Sequence, residues 1–307
     1  MMKSRKFFGI TVLVLLVALA IYYLKSNISE FSELRIVNAW YILPLIFLFI
    51  LSYWFIGFVL KILLNPFGAD LTLKESFMIS IVTGFYNLIT PFRGGMVARG
   101  VYLKKKHNFS YTNFFATLAA SYIIIFLISS FIGLISVYLI FIIYGVFNLI
   151  IFFIFTLMFF GMLIIVLIAP ELSERKNKLI NKLTKIINGW HLVKTKKKVV
   201  LWVGFISAIQ ILLGAFMLYL QFKVFGFEIS YLKSLFLSCI GNLGILIAIT
   251  PANLGISEAI TVFSALTLRI TPAESLSAAL LGRVVSFVVL FILGPIFSYF
   301  LLRKKSI

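Results

Sequence analysis

Apolar stretches as long as a lipid bilayer is thick are the feature that most constrains this chain. Several of them reach about 20 residues, the length at which an α-helix spans the hydrocarbon core of a membrane. Hydrophobic residues make up 62% of the chain and charged residues 12%, whereas a soluble domain carries about 25% charged residues. Because a soluble globule needs a polar exterior, a soluble enzyme is excluded. The sequence predicts an all-α, polytopic bundle of membrane helices.

The charge balance fits the same class. The chain has 28 Lys and Arg against 9 Asp and Glu. In a soluble protein this excess would suggest nucleic acid, but cytoplasmic loops of membrane proteins also collect basic residues. We therefore expect no nucleic-acid partner, and a cell (plasma) membrane protein with both termini cytoplasmic. The single cysteine, Cys239, excludes an internal disulfide and a cysteine-only metal site. No metal or other cofactor is expected.

Six full spans are predicted from the apolar stretches. They are residues 7–24, 40–64, two spans within 113–168, 199–222 and 274–302. The first could be a cleaved signal peptide, but its long apolar run favours an uncleaved signal anchor with its N-terminus inside. The turn within 113–168 is expected near Tyr144-Gly145 or Asn148.

Two shorter apolar stretches, 75–90 and 233–250, each end at a Thr-Pro pair. If both crossed the membrane fully, the basic stretch 93–106 would lie outside, against the positive-inside rule. We therefore predict two re-entrant helical hairpins, each entering and leaving on one side. Residues 65–112 would then lie inside and residues 223–273 outside.

The two halves of the chain resemble each other, which predicts an inverted repeat. Residues 67–72 read FGADLT and residues 225–230 read FGFEIS, and the Thr-Pro pairs follow in order. Any two segments rich in Leu, Ile and Phe look alike, but ordered matches at Gly, Pro and Ser favour a repeat. The predicted division of this single domain is 1–39 signal-anchor helix and outer loop, 40–143 first repeat, 144–198 connecting span and basic loop, 199–302 second repeat, and 303–307 basic tail.

Broken helices survive at membrane depth only beside protein or a wet cavity, because lipid cannot satisfy their backbone groups. The breaks therefore predict an internal polar cavity, where helix N-termini would attract an anionic group. The residues that form the breaks are Thr90, Pro91 and Gly95 in the first hairpin and Thr250, Pro251 and Gly255 in the second.

Glu258 and Arg283 are the charged residues that the apolar pattern makes most unusual. Arg283 lies nine residues into the last predicted span, about 13 Å deep if helical. Glu258 is the acid expected at that depth, and intramembrane ions are costly and usually functional. The pair is either a structural ion pair or a site in which Arg283 meets an anionic headgroup and Glu258 tunes it. One pair could do both.

Three further residues are candidates for substrate binding. Arg93 and Arg99 flank Gly94-Gly95 and could receive a lipid phosphate. They could equally be a positive-inside cluster, which is the interpretation favoured for Arg99. Asn253 is the counterpart of Arg93 and could donate hydrogen bonds or serve as a turn residue.

The segment 172–190 has apolar residues at helical spacing with lysines on the other side, which predicts an interfacial helix on anionic lipid. The lysines could also serve only to orient the chain. Catalytic signatures do not occur in the sequence: there is no phosphate-binding loop, no HExxH and no Ser/His/Asp set. Transport is therefore favoured over catalysis.

The stretch 249–295 resembles the membrane region of lysylphosphatidylglycerol synthase, a flippase-like family of integral membrane proteins. The residues that carry the resemblance are Pro251, Gly255, Glu258, Arg283 and Gly294, together with Pro91, Gly95 and Arg99. It implies movement of lipids between leaflets. Two departures matter. The soluble aminoacyl-transferring domain is not expected here, and the first repeat has Ser121 and Tyr122 where an acid–Arg pair would stand.

The leading hypothesis is a lipid flippase that moves phospholipid or polyprenyl-phosphate headgroups, with anionic membrane lipids as partners. The alternatives are a membrane-embedded transferase acting on a lipid-linked substrate, and a non-catalytic membrane partner of a separate glycosyl- or aminoacyl-transferase.

Overall fold

The computed structural model describes residues 35–168, 178–247 and 250–303, and these residues form α-helices and short 3-10 turns without a strand. The helices are α1 Ile42–Leu64, α2 Leu73–Ile89, α3 Gly94–His107, α4 Tyr111–Tyr144, α5 Leu149–Ile168, α6 Lys178–Thr195, α7 Lys197–Val224, α8 Tyr231–Leu243, α9 Ile256–Leu266 and α10 Pro272–Arg303. The predicted all-helical class is confirmed for the described residues.

Five helical segments are long and apolar enough to cross a membrane within the described ranges. They are Ala39–Phe67, Tyr111–Tyr144, Leu149–Ile168, Lys197–Val224 and Pro272–Arg303. Each matches a predicted span, and the turn inside 113–168 falls at the expected place, because α4 ends at Tyr144 and α5 begins at Leu149. The remaining predicted span, 7–24, lies outside the described residues.

Short polar side chains define where several helices begin. The hydroxyl of Thr72 accepts from the backbone N–H of Glu75 at 3.1 Å, and Ser110 and Ser230 cap α4 and α8 in the same way. At α10, Thr271 and Glu274 satisfy each other's backbone N–H groups at 3.3 and 2.9 Å. These caps occupy donors that a helix would otherwise leave unpaired.

The Thr-Pro pairs both break the chain with the same backbone geometry. We call Pro91–Arg93 the first break and Pro251–Asn253 the second break. Phe92 and Arg93 have φ of 53° and 55°, and Ala252 and Asn253 have φ of 53° and 56°. Two consecutive non-glycine residues in the left-handed region are costly and uncommon. That both breaks share this geometry at matched positions extends the sequence similarity to the backbone.

A helix follows each break and folds back on the helix before it. In the first hairpin, Tyr102 donates to Glu75 at 2.6 Å and His107 Nε2 lies 2.9 Å from the same carboxylate oxygen, so the end of α3 contacts the start of α2. Burial, with this hydrogen bond, raises the pKa of the Tyr102 hydroxyl. In the second hairpin, Lys233 at the start of α8 donates to the carbonyl of Leu268, just after α9, at 3.3 Å. Both pairs of helices are therefore antiparallel hairpins.

Gly95 and Gly255 occupy matched sequence positions but have different structural roles. A Cβ on Gly95 would lie 2.9 Å from the backbone nitrogen of Asn87, so this glycine lets α3 pack against α2. Gly255 precedes α9 with φ of 79°, a conformation that glycine adopts without a steric cost.

The packing between the two halves is reciprocal. The first hairpin helix α2 packs against α1 and against α10 of the other half, and the second hairpin helix α8 packs against α7 and against α4. The helices α1 and α7 also pack together, and the first break contacts the second break. The two hairpins therefore meet through their breaks within the bundle.

The predicted amphipathic helix is present as α6, which packs against α4 and α7. Trp190 and Val193 are 2% and 0% exposed and belong to a cluster with residues of α1, α4 and α7. The indole N–H of Trp190 donates to the carbonyl of Ile165 at 3.4 Å. Contact of this helix with anionic lipid stays a prediction.

Candidate functional site

Arg283 lies within α10 and points its guanidinium at the second hairpin. Its Nε donates to Glu258 Oε1, its Nη1 donates to the carbonyl of Ala252 at 3.1 Å, and its Nη2 donates to Ser257 Oγ at 3.0 Å. The planar guanidinium thus contacts the second break and the first turn of α9 together. The Arg283 carbon Cζ also lies 6.0 Å from the ring centre of Phe287, one helical turn further along.

Both carboxylate oxygens of Glu258 accept hydrogen bonds. One carboxylate oxygen accepts from Arg283, and the other accepts from the backbone N–H of Gly255 at 2.8 Å. Ser257 Oγ lies 3.3 Å from the second oxygen. Because Glu258 is the third residue of α9, its charge also lies at the positive end of the helix dipole. The carboxylate therefore serves as both helix cap and ion-pair partner.

Burial makes this ion pair energetically important. The side chains of Arg283 and Glu258 are 13% and 10% exposed. Removing two charges from water is costly, and the cost is offset only where the remaining donors and acceptors are satisfied. Here the carbonyl of Ala252 and the hydroxyl of Ser257 each accept one further hydrogen bond from the guanidinium. The hydrogen bonds of Arg283 therefore fix the position of α10 against the second hairpin.

A cavity with a volume of about 230 Å³ opens beside the pair. Its lining combines the end of α2 with the second hairpin and α10: Leu88, Ala252, Ser257, Glu258, Ala279, Gly282, Arg283 and Ser286. Most of the polar groups in this lining come from the second half of the chain. The predicted meeting of Glu258 and Arg283 is therefore observed at a cavity that both halves of the chain line.

Asn253 lies in the second break, next to Ala252, and is not part of that lining. Its Oδ1 is buried and has no hydrogen-bond partner among the described residues. The same holds for Oδ1 of Asn87, near the end of α2. The left-handed backbone of Asn253 agrees with the turn role that the sequence left open. Its role in substrate binding stays a prediction.

Arg93 contacts a different helix from Arg283. Its Nη1 donates to the hydroxyl of Tyr122 on α4 at 2.7 Å, and its Cζ lies 5.9 Å from the centre of that ring. Tyr122 in turn stacks on Phe126. The first break is therefore tied to α4 by Arg93, as the second break is tied to α10 by Arg283. Binding of a headgroup by Arg93 stays a prediction.

Arg99 lies in α3 and is only 8% exposed. Its Nη2 donates to the sulfur of Met96 at 3.0 Å, and its Cζ lies 5.6 Å from the ring centre of Phe114. It lines a groove that shares no residue with the cavity at Glu258. The structure thus distributes the five candidate residues over four places, of which only the cavity joins two of them.

Several residues of the site were not identified from the sequence. Ser257, Gly282 and Ser286 line the cavity, and Tyr122 is the partner of Arg93. The helical spacing of Gly282 and Ser286 beside Arg283 was the available signal for their shared surface. No group of three or more His, Cys, Asp or Glu that could hold a metal ion occurs among the described residues.

Comparison with known families decides what kind of protein carries this site. Residues 6–294 match the family described as Lysylphosphatidylglycerol synthase TM region. The chain belongs to this family. It is therefore a membrane protein with several transmembrane helices, as the apolar helices require. A comparison with curated proteins finds no match.

The motif residues that this family member carries now have structural positions. Pro251 opens the second break, Gly255 and Glu258 form the start of α9, and Arg283 joins them from α10. Gly294 lies where α10 packs against Phe85 of α2. Gly255, Glu258 and Arg283 are therefore brought together within the second half of the chain, whereas Gly294 lies at the contact with the first half.

Proposed function

We propose that this member of the lysylphosphatidylglycerol synthase membrane-region family is a lipid flippase, which moves phospholipid or polyprenyl-phosphate headgroups across the membrane. The observation that carries the proposal is the buried Glu258–Arg283 pair beside a polar cavity. A charged pair in an apolar bundle is costly, and such pairs commonly mark a substrate path. Acyl tails would remain in the bilayer while the headgroup passes through the protein.

The architecture proposed for this function is an inverted repeat with six spans and two re-entrant hairpins. Support comes from the equivalent φ angles of the two breaks, the antiparallel arms of both hairpins and their reciprocal packing. Transporters with inverted repeats bind their substrates between broken helices near the membrane centre. On this proposal, α1–α4 and α7–α10 are the two repeats.

The proposed orientation places the first hairpin on the cytoplasmic side and the second on the outer side of the plasma membrane, with both termini cytoplasmic. Support comes from the basic residues of α3 and of the segment 171–198, which would then face the cytoplasm. An association with a separate transferase stays a prediction.

The proposed role of Arg283 is to receive the anionic part of a headgroup. Two of its donor groups now bond neutral oxygens, those of Ala252 and Ser257. A phosphate is a stronger acceptor for a guanidinium than either oxygen, because both partners are charged. Glu258 would keep Arg283 oriented and, by competing for it, prevent the phosphate from being held permanently.

The test is headgroup translocation in liposomes that contain purified protein. Labelled phosphatidylglycerol and a labelled polyprenyl phosphate are compared in wild type and in Glu258→Gln, Arg283→Ala and Glu274→Gln variants. Glu274 is the matched control, because it also caps the start of a helix but has no arginine partner in the described part of the chain. We expect at least about a ten-fold loss of rate in the first two variants, the size of one lost charge-assisted hydrogen bond.

Folding of each variant is checked by size-exclusion chromatography before the rate is compared. Translocation by wild type that survives both substitutions would place the path elsewhere. An absence of translocation for every lipid tested would refute the flippase function and leave Glu258 and Arg283 as a structural pair.

A further inference from the structure

A second concave surface lies along the first hairpin. This groove has a volume of about 510 Å³ and is formed by α2, α3 and the end of α10. We call it the α3 groove. Its lining includes Val97, Arg99, Lys105 and Lys106 of α3, and Ser298 and Leu302 of α10. It is mainly apolar, with cationic side chains contributed by one helix.

The cations of the groove share one face of α3. Residues three and seven positions apart lie close on a helix surface, so Arg99, Tyr102 and Lys106 point the same way. Lys105 lines the groove next to them. The lining itself contains three cations and no Asp or Glu, and Glu75, which accepts a hydrogen bond from Tyr102, lies just outside it. Charge alone therefore favours an anionic occupant.

Arg99 lacks the partner that a buried guanidinium needs. The residue is 8% exposed, and its Nε is buried without a hydrogen-bond acceptor in the described part of the chain. Its guanidinium donates to the sulfur of Met96 and lies over the ring of Phe114, and both are weak partners for a cation. No carboxylate among the described residues lies within salt-bridge distance of it. A buried arginine is ordinarily paired.

A second polar group of the same lining is also unsatisfied. Ser298 Oγ, on α10, is buried without a hydrogen-bond partner among the described residues. The rest of α10 in the groove is apolar, since Leu301 and Leu302 complete that wall. The groove therefore combines unmet hydrogen-bonding capacity on two helices with a surface suited to hydrocarbon.

We propose that the α3 groove binds one anionic phospholipid. Its phosphate pairs with Arg99, Lys105 and Lys106, and one acyl chain lies along the apolar wall that includes Val97 and Leu302. Arginine and lysine together hold a phosphate through a bidentate contact and point charges. A zwitterionic lipid would bring a quaternary ammonium group close to the same three cations, so the groove discriminates against it. The proposal that the groove binds lipid does not depend on the proposed function. A role for the groove as the entry site for a transported lipid does depend on it.

The test measures binding rather than transport. Full-length protein purified in detergent is incubated with equal amounts of phosphatidylglycerol and phosphatidylcholine, and retained lipid is counted by native mass spectrometry. We expect one phosphatidylglycerol retained by the wild type in preference to phosphatidylcholine. Arg99→Gln should weaken its retention about ten-fold, as expected for one lost charge-assisted contact to phosphate.

Two further variants keep the test independent of any folding defect at Arg99. The double variant Lys105→Gln/Lys106→Gln should also lose retention, whereas Lys74→Gln/Lys104→Gln should not. The control removes two exposed lysines that lie outside the groove lining. Ala98→Phe should block retention of both lipids by filling the apolar part of the groove.

Equal retention of the two lipids would overturn the proposal, because the groove would then be only an apolar surface. Unchanged phosphatidylglycerol retention in both the Arg99 variant and the Lys105/Lys106 double variant would also overturn it. The Glu274→Gln variant, which changes a helix cap outside both the groove and the cavity, is expected to retain phosphatidylglycerol like wild type. Failed translocation with intact binding therefore refutes the proposed function alone, and failed binding with intact translocation refutes this site alone.

Discussion

Replacing Glu258 with alanine removes the carboxylate that compensates the buried guanidinium of Arg283. The substitution breaks the ion pair and also frees the backbone N–H of Gly255, which the second carboxylate oxygen accepts. Arg283 would keep only the neutral oxygens of Ala252 and Ser257. The variant therefore leaves a charge 13% exposed without a counter-ion.

The size of the effect follows from this burial. Removing one partner of a buried ion pair costs about 3–5 kcal/mol. The matched change Glu274→Ala removes a cap at the start of α10 without breaking an ion pair between described residues, and should cost about 1 kcal/mol. The difference between the two losses in free energy of unfolding gives the contribution of the ion pair, separated from that of the helix cap.

The free energy of unfolding of both variants is measured in the same detergent by reversible denaturant titration. A mutant cycle is measured with Glu258→Met, Arg283→Met and the double variant. The double variant should recover much of the stability lost in Glu258→Met, because it leaves no unpaired charge. If Glu258→Ala costs no more than Glu274→Ala, the ion pair does not stabilise the fold and the reasoning is refuted.

Two further predictions test the packing and the orientation of the hairpins. Gly57→Ala would place a Cβ 2.8 Å from a backbone nitrogen of α2, so thermal unfolding should show a loss of about 1–3 kcal/mol in the free energy of unfolding. Gly161→Ala is the control and should be neutral, because Gly161 has open space around it. Equal effects of the two substitutions would contradict the close approach of α1 and α2. In a Cys239→Ala background, a membrane-impermeant maleimide should label Lys104→Cys only from the cytoplasmic side and Glu228→Cys only from the outer side. Labelling of Lys104→Cys from outside would show that the first hairpin crosses the membrane.

Much of the fold was predictable because membrane helices are marked by composition. Five described spans occur where the apolar stretches predicted them, and the turn between α4 and α5 falls beside Gly145. Both Thr-Pro pairs were correctly identified as breaks, because proline removes a backbone donor and disfavours helix in the residue before it. The bounds of the helix that follows the first break were not predicted, since α3 has a basic rather than an apolar composition.

The candidate site was predictable in part. Glu258 and Arg283 were identified as partners because ions are rare in apolar segments, and the structure brings them together. The pairing of Arg93 with Tyr122 was not identified, because a tyrosine in an apolar stretch gives no sign of the residue it faces. The α3 groove was missed for a related reason: its walls come from three helices that are distant in sequence.

The sequence by itself determined that this is a helical membrane protein, where its main helices run and where two of them break. Those properties depend on local chemistry: hydrocarbon requires apolar residues, and proline interrupts a helix. Only the tertiary structure decided that the two breaks contact each other and that Arg283 spans the second break and α9. It also decided that Arg99 is buried without a carboxylate partner among the described residues. These contacts depend on how helices far apart in the chain pack together, and the apolar surfaces that direct such packing look alike in sequence.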